Sequence, residues 1–246
     1  MSTPTRILVA ACLLVATHAA AQTPAPAPPP PPWSGTLSAG LALTGGNTDT
    51  TTFNLAFDVQ SDKTQRNVVK AEGLNIRSSR DGEEIVDRSS ISVRDEFTLT
   101  GRTYVFGQFQ YLRDAFKGID YLLSPTGGVG YKVINTDLTT LTVDAAIGGI
   151  FEKNPGLDRR SDGAVTMSEK VSHKLGTATA TQSVTALWVA TDFADALYAF
   201  KAGIAADVWA RVQVKVDFLD TYKSRPPSPL IQKNDTALIT SVAFKF

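Results

Sequence analysis

The chain has 246 residues, 24 basic against 24 acidic side chains, and a mean hydropathy of −0.04. Such balance excludes nucleic-acid binding through a basic surface, and near-neutral hydropathy excludes a bundle of lipid-embedded helices. It does not exclude a membrane barrel, whose strands alternate lipid-facing and lumen-facing residues and so average to near neutral.

The N-terminus reads as an export signal. Arg6 supplies a positive charge, Ile7 to Ala16 form an apolar run too short to cross a bilayer as a helix, and Ala19-Ala20-Ala21 is a small-residue cleavage site. The expected division is 1–21 signal peptide, 22–33 Pro-rich leader and 34–246 barrel domain. Cys12 is the only cysteine. Val9-Ala10-Ala11-Cys12 has the look of a lipoprotein box, but the apolar run continues through Leu13-Leu14-Val15, which places Cys12 inside the signal. The exported chain then has no thiol, and disulfides and cysteine catalysis are excluded. The leader, TPAPAPPPPP, cannot join a ladder or a helix, because proline fixes φ and lacks an N–H. It is expected to be a semi-rigid polyproline spacer.

From Trp33 onward the period is two, with runs of about ten to fourteen residues between Gly/Asn/Asp/Ser/Pro clusters. Leu37, Ala39, Leu41 and Leu43 share one face; after TGGNTDT, so do Phe53, Leu55, Phe57 and Val59. Residues 66–77 alternate weakly. Ile91, Val93, Phe97 and Leu99 follow, then an aromatic run over 104–112. Ile119 to Val133 keep one parity through Ser-Pro-Thr-Gly-Gly. Leu141 to Phe151 come next, and KNPGLDRRSDG (153–163) reads as a solvated loop. Val165, Met167, Val171 and Leu175 alternate with Thr166, Ser168, Lys170 and Lys174. The remaining runs are 184–190, 196–204, 208–222 and 236–246. That makes twelve candidate strands, at roughly 18 residues per strand and turn, about twice the spacing of a sandwich domain. Strands this long suit a tilted membrane span. Length, more than alternation, predicts an all-β, transmembrane, antiparallel up-and-down barrel of about twelve strands.

The second face of these strands carries Asp58, Lys70, Glu72, Arg94, Glu96, Asp144, Lys170, Arg211, Lys215, Asp217 and Lys245. Mixed signs suit a lumen crossed by ion pairs, since an isolated buried ion is expensive. An open edge is not allowed in lipid, so the last strand, TALITSVAFKF, is expected to pair with the first. Leu238, Val242, Phe244 and Phe246 would face lipid, and Ile239, Ser241, Ala243 and Lys245 the lumen. Trp188, Tyr198, Phe218, Tyr222, Phe244 and Phe246 are candidates for aromatic girdles.

Few residues carry chemistry. His173 is the one histidine outside the signal. It could serve as the base of a lipid-modifying barrel enzyme, or as an amphipathic side chain at the headgroup level. Neighbouring Ser172 and Ser168 have the wrong parity to be its partner, although a nucleophile from an adjacent strand would satisfy the geometry. One histidine without cysteine argues against zinc. GGVG (127–130) precedes no helix and is no phosphate loop. Its glycines instead permit a bend or close packing across the lumen. Residues 113–121 form a charged turn, expected to be held by Asx-type hydrogen bonds.

Three segments carry a resemblance: WSGTLSAGLALTGGNTDTTTFNLAFD, RDAFKGIDYLLSPTGGVGYKV and KNDTALITSVAFKF. In this order they resemble the domain-of-unknown-function 481 family, which includes the YdiY-like, salt-induced outer-membrane proteins. The resemblance covers essentially everything after the proline segment. It implies an outer-membrane barrel of the Gram-negative envelope with a structural or stress-adaptation role, a narrow pore being one form of it. It supplies no catalytic residue, cofactor or metal ligand. It also implies recognition of the strand ending at Phe246 by the barrel-assembly machinery. The remaining expectations are contact with outer-membrane lipids, no nucleic acid, and a monomer. The alternatives are the lipid-modifying enzyme using His173 and a soluble periplasmic barrel or sandwich that binds a ligand.

Overall fold

The structure, a computed structural model, describes residues 32–45, 50–80 and 83–246. The expected signal peptide and nearly all of the Pro-rich leader lie outside the described residues. The chain forms β1 (Trp33–Gly45), β2 (Thr50–Ser61), β3 (Asn67–Arg80), β4 (Glu83–Thr98), β5 (Thr103–Asp114) and, after a 3₁₀ turn at Ala115–Lys117, β6 (Ile119–Asn135). It continues with β7 (Thr139–Lys153), β8 (Arg160–Leu175), β9 (Ala178–Val189), β10 (Asp192–Trp209), β11 (Val212–Lys223) and β12 (Asn234–Lys245). Each strand pairs antiparallel with its sequence neighbours, and β12 returns to β1, so the sheet is a closed barrel. Twelve strands and the predicted order are therefore observed.

Closure runs through ten ladder positions, from Thr36↔Lys245 to Gly45↔Thr236. Phe246 continues the pairing beyond β12. Its N–H donates to Gly35 O and its carbonyl accepts from Gly35 N–H, both at 3.1 Å. The seam thus leaves no free edge, the condition a sheet in lipid must meet.

Following the registers once round returns to β1 about 16 residues along the chain, which corresponds to a strand tilt of roughly 42° and a backbone radius of roughly 12–13 Å. Strands of 12 to 18 residues, so tilted, cover a hydrocarbon core with some length to spare.

The alternation resolves into outside and inside as predicted. Leu37, Ile147, Met167 and Val242 point outward, 59%, 71%, 55% and 57% exposed, while Ser38, Asn54, Ala146, Ile239, Ser241 and Ala243 point inward and are buried. One end has short turns (62–66, 99–102, 136–138, 176–177 and 210–211) and holds Trp33 and Phe246. The other end carries the longer loops, 154–159 and 224–233.

Boundaries differ from expectation in three places. The run 208–222 is not one strand: Val208 and Trp209 end β10, and the chain turns at Ala210-Arg211 before Val212, which pairs with Trp209. A bulge between Asp207 and Trp209 absorbs the misfit. Continuous alternation hid a two-residue hairpin, and Arg211 is consequently in a turn rather than in the lumen. The polar loop expected at 153–163 is shorter, because Arg160 to Gly163 already belong to β8. Finally, Trp33 pairs with Ser61 inside the barrel instead of closing the leader.

Candidate functional site: the barrel lumen

The lumen changes character along its axis. At the loop end the described residues fill it with ion pairs and hydrogen bonds, several of them between strands that are not neighbours. Arg88 on β4 donates to Thr221 Oγ1 on β11 at 3.1 Å and lies 3.3 Å from Asp114. Lys117, in the turn after β5, is fully buried and reaches Asp235 on β12 at 2.8 Å and the Lys233 carbonyl at 2.7 Å. Lys223 on β11 meets Glu152 on β7 at 2.7 Å. Arg160 on β8 joins Glu152 at 3.3 Å and Asp195 on β10 at 2.8 Å. Arg88–Thr221, Lys117–Asp235, Lys223–Glu152 and Arg160–Asp195 reach past neighbouring strands, whereas Arg88–Asp114 and Arg160–Glu152 join ladder partners, and together they brace the mouth.

The 224–233 loop lies over the turn containing Lys117. At Gly118, with φ +60°, an added Cβ would come within 2.8 Å of both Ile231 and Pro227. Only glycine combines this backbone conformation with that close cover. Beneath the ion pairs the lumen is apolar. Ile119, Leu122, Ile150, Ala164 and Leu187 form one buried cluster, and Ile76 and Ile239 another, with Leu74 and Leu219 packed against it. Salt bridges above and aliphatic packing below make this end a plug.

A different cluster lines the wall nearer the turn end. Arg94 stacks over the Phe106 ring, 3.5 Å from its centroid, and bonds Gln108 at 3.1 Å, Asp144 at 2.9 Å and Glu96 at 2.8 Å. Tyr104 also donates to Asp144, Ser168 does so at 3.0 Å, and Lys70 pairs with Glu96 at 2.7 Å. Tyr104 lies flat across β6 only because position 130 has no side chain: a Cβ on Gly130 would sit 2.2 Å from the ring. Gly130 and Gly128 of GGVG therefore serve close packing against the adjacent strands β5 and β7, not packing across the lumen.

Between plug and wall is a cavity of about 290 Å³ whose lining includes Asp58, Glu72, Arg88, Lys201, Lys215 and Asp217, with serines and threonines between them. Glu72, Lys170 and Lys201 remain exposed, whereas Asp114, Lys117, Glu152 and Lys223 at the loop end are buried. Among the described residues the lumen is a polar vestibule on the turn side and is filled by side chains on the loop side.

Most of the charges expected in the lumen from parity are there. What sequence reasoning missed is the plug. Ile76, Leu122, Ile150 and Leu187 carry the inward parity, so the signal existed, but no local pattern says that they meet. Lys117 falls in the charged turn expected at 113–121. The expected Asx-type bond is present, Lys117 N–H to Asp114 Oδ1 at 3.3 Å, yet the side chain points inward across the mouth. Arg160 falls in the loop expected at 153–163, but it opens β8 and turns into the mouth. His173 lies on the outer face near the turn end, and its Nδ1 is 2.7 Å from Thr139 Oγ1. The hydroxyl beside it thus belongs to a threonine of β7.

The girdles are also visible. Trp188 Nε1 donates to Tyr198 OH at 3.2 Å with the two rings edge-on, and Tyr198 packs on Tyr222 with centroids 6.1 Å apart, all at the loop end. Phe97, Tyr131, Phe244 and Phe246 encircle the turn end, 42%, 43%, 48% and 53% exposed. The two belts are about ten residues of tilted strand apart, or roughly 25 Å along the axis. Phe218 packs on Phe200 and lies inside the band rather than in a belt.

An apolar band between aromatic belts around a largely polar lumen defines a transmembrane antiparallel barrel. Residues 37–246 match the family described as "Protein of unknown function, DUF481", and the chain belongs to that family. Among solved structures the fold is similar to the NanC porin (TM-score 0.57, 10% identity, 85% of this chain and 100% of that one). It is similar also to the KdgM porin (TM-score 0.51, 8% identity, 86% and 99%). A third likeness is to the translocator domain of the autotransporter NalP from Neisseria meningitidis (TM-score 0.51, 10% identity, 88% and 89%). Comparison with curated proteins gives no match.

Proposed function

We propose that this chain is an outer-membrane barrel of the Gram-negative envelope that forms a narrow conduit, closed at its outer mouth, and serves adaptation of the envelope to salt stress. One observation carries the reading. The barrel is inverted relative to a soluble protein, with a continuous band of exposed Leu, Val, Ile and Phe outside and paired charges inside. In membrane barrels the short turns face the periplasm and the longer loops the exterior. On that rule the vestibule opens to the periplasm and the plug faces out. Barrels of eight strands are filled by side chains and those of 16–18 hold open channels; twelve strands give a lumen that such a plug suffices to shut. The porin likeness supports the fold on which this rests. No catalytic residue, cofactor or metal enters the proposal, and outer-membrane lipids and the barrel-assembly machinery are its partners.

Fractionation and planar-bilayer recording test it together. The protein should require detergent for extraction. Wild type should show little steady conductance, and the Arg88→Ala/Lys223→Ala protein distinctly larger steps. Recovery in the soluble periplasm without detergent would refute membrane insertion. A membrane-inserted protein silent in both forms would leave a purely structural barrel.

A further inference from the structure

The lipid-facing surface carries a polar pair that the conduit does not use. Glu169 shares its outward parity with Met167 and Val171, and its ladder row reads Tyr131, Val143, Glu169, Val184, Phe200. Glu169 lies well inside β8, and the tilt of the strands lifts it above Tyr131, the residue of its row that belongs to the turn-end belt. The other outward carboxylates sit near strand ends: Asp95 close to the end of β4, Asp220 close to the end of β11, and Asp87 paired with Arg113 at 3.0 Å at the loop end. Glu169 makes no hydrogen bond or ion pair with any described residue. Neither does Gln182, the polar neighbour that faces outward from β9 opposite Val171.

An acidic group at mid-depth in a bilayer is costly, and such residues characteristically face a partner. Strand tilt decides what that partner is. With strands inclined at roughly 42°, the side chains level with each other are diagonal neighbours, not ladder partners. Glu169 and Gln182 are such a diagonal pair and stand at the same height in the membrane. A two-fold axis along the membrane normal, passing between β8 and β9, sets β8 of one copy against β9 of the other. Glu169 of each copy then meets Gln182 of its mate at equal depth, so one symmetry operation gives each of the four polar groups a partner. The flanking outward residues Ala145, Ala180 and Ala202 are small and let the two sheets approach.

We propose that the outer face of β8–β9 is the interface of a membrane-embedded dimer of this chain, held by reciprocal Glu169–Gln182 hydrogen bonds, in place of the monomer expected from the sequence. The proposal rests on the membrane reading above.

Cys12 is the only cysteine in the sequence, so single cysteines report cleanly in a Cys12→Ser background. Differently tagged Glu169→Cys and Gln182→Cys full-length proteins, co-expressed and oxidised in intact membranes, should give a mixed disulfide well above either variant alone. Light scattering of the detergent-extracted wild type should return twice the chain mass. Glu169→Leu and Gln182→Leu should each weaken the dimer by about tenfold, and Glu169→Gln, which keeps an amide in place, should retain it. Loss of a lipid-facing polar group does not threaten the fold, and gel mobility before and after heating confirms this for each variant. A monomeric mass together with no mixed disulfide, a disulfide to a different protein, or a Glu169→Leu dimer as tight as wild type would each overturn the proposal. A soluble protein in the same fractionation would sink the membrane reading and the dimer with it, whereas an inserted monomer would sink the dimer alone.

Discussion

Lys117 shows how much a single residue contributes. It sits in a short turn and would ordinarily extend into water. Here it is fully buried between Asp235 and the Lys233 carbonyl. Taking an ammonium out of water costs several kcal/mol, recovered only when its partners are well placed. Removing the ammonium should therefore leave buried acceptors unmatched. Lys117→Ala is expected to destabilise the folded barrel by about 3 kcal/mol, read as a lower urea midpoint in detergent micelles. Lys117→Met combined with Asp235→Leu removes both charges and should cost clearly less. An equal loss in the two proteins would mean that packing, not ion pairing, sets the contribution. The neighbouring Gly118 works on the same scale: its positive φ and the close approach of Pro227 and Ile231 bring the 224–233 loop down over the mouth.

At the scale of elements, the decisive contact is β12 against β1. Alternation along TALITSVAFKF told which side chains point outward, and the observed faces agree: Leu238, Val242, Phe244 and Phe246 outside, Ile239, Ser241, Ala243 and Lys245 inside. The register adds that Phe246 is tied to Gly35 by two backbone hydrogen bonds. Phe246 thus both anchors the interface belt and completes the seam, and we expect it to guide assembly. Deleting Phe246 should reduce the membrane-inserted, heat-modifiable fraction several-fold while leaving synthesis and export unchanged, as read by pulse-chase and immunoblotting. Normal insertion would remove the assembly role without disturbing the observed closure. The β10–β11 hairpin teaches the opposite lesson. Apolar alternation ran unbroken through Val208, Ala210 and Val212, and no Gly, Pro or Asn marked the two-residue turn at Ala210-Arg211. A tight turn without special residues is invisible to a reading based on punctuation.

For the whole molecule, closure couples every strand to two neighbours, and the lumen ties add links across the diameter. A barrel of this kind unfolds as a unit and resists detergent until heated. The unheated protein should migrate on a denaturing gel at a different apparent mass from the boiled one, with 26.3 kDa the mass of the full unfolded chain. A single mobility at both temperatures would contradict a detergent-resistant closed barrel. The split between a plugged outer mouth and an open vestibule is also a property of the whole, because its ties join β4 to β11, β7 to β11 and the β5–β6 turn to β12.

The sequence by itself determined the strand count, the inside-outside sense of nearly every strand, the closing of β12 on β1 and the mixed charge of the lumen. All of these follow from a period of two and from strand length, which are local. It also carried the outward parity of Glu169 and the inward parity of Ile76, Leu122 and Ile150, without showing that these were exceptional. Only the tertiary structure decided which charges meet, where the apolar residues of the lumen gather and how deep Glu169 lies. Those outcomes depend on register and tilt summed over twelve strands. A shift of one residue in any hairpin would reassign every cross-lumen partner while leaving the alternation intact.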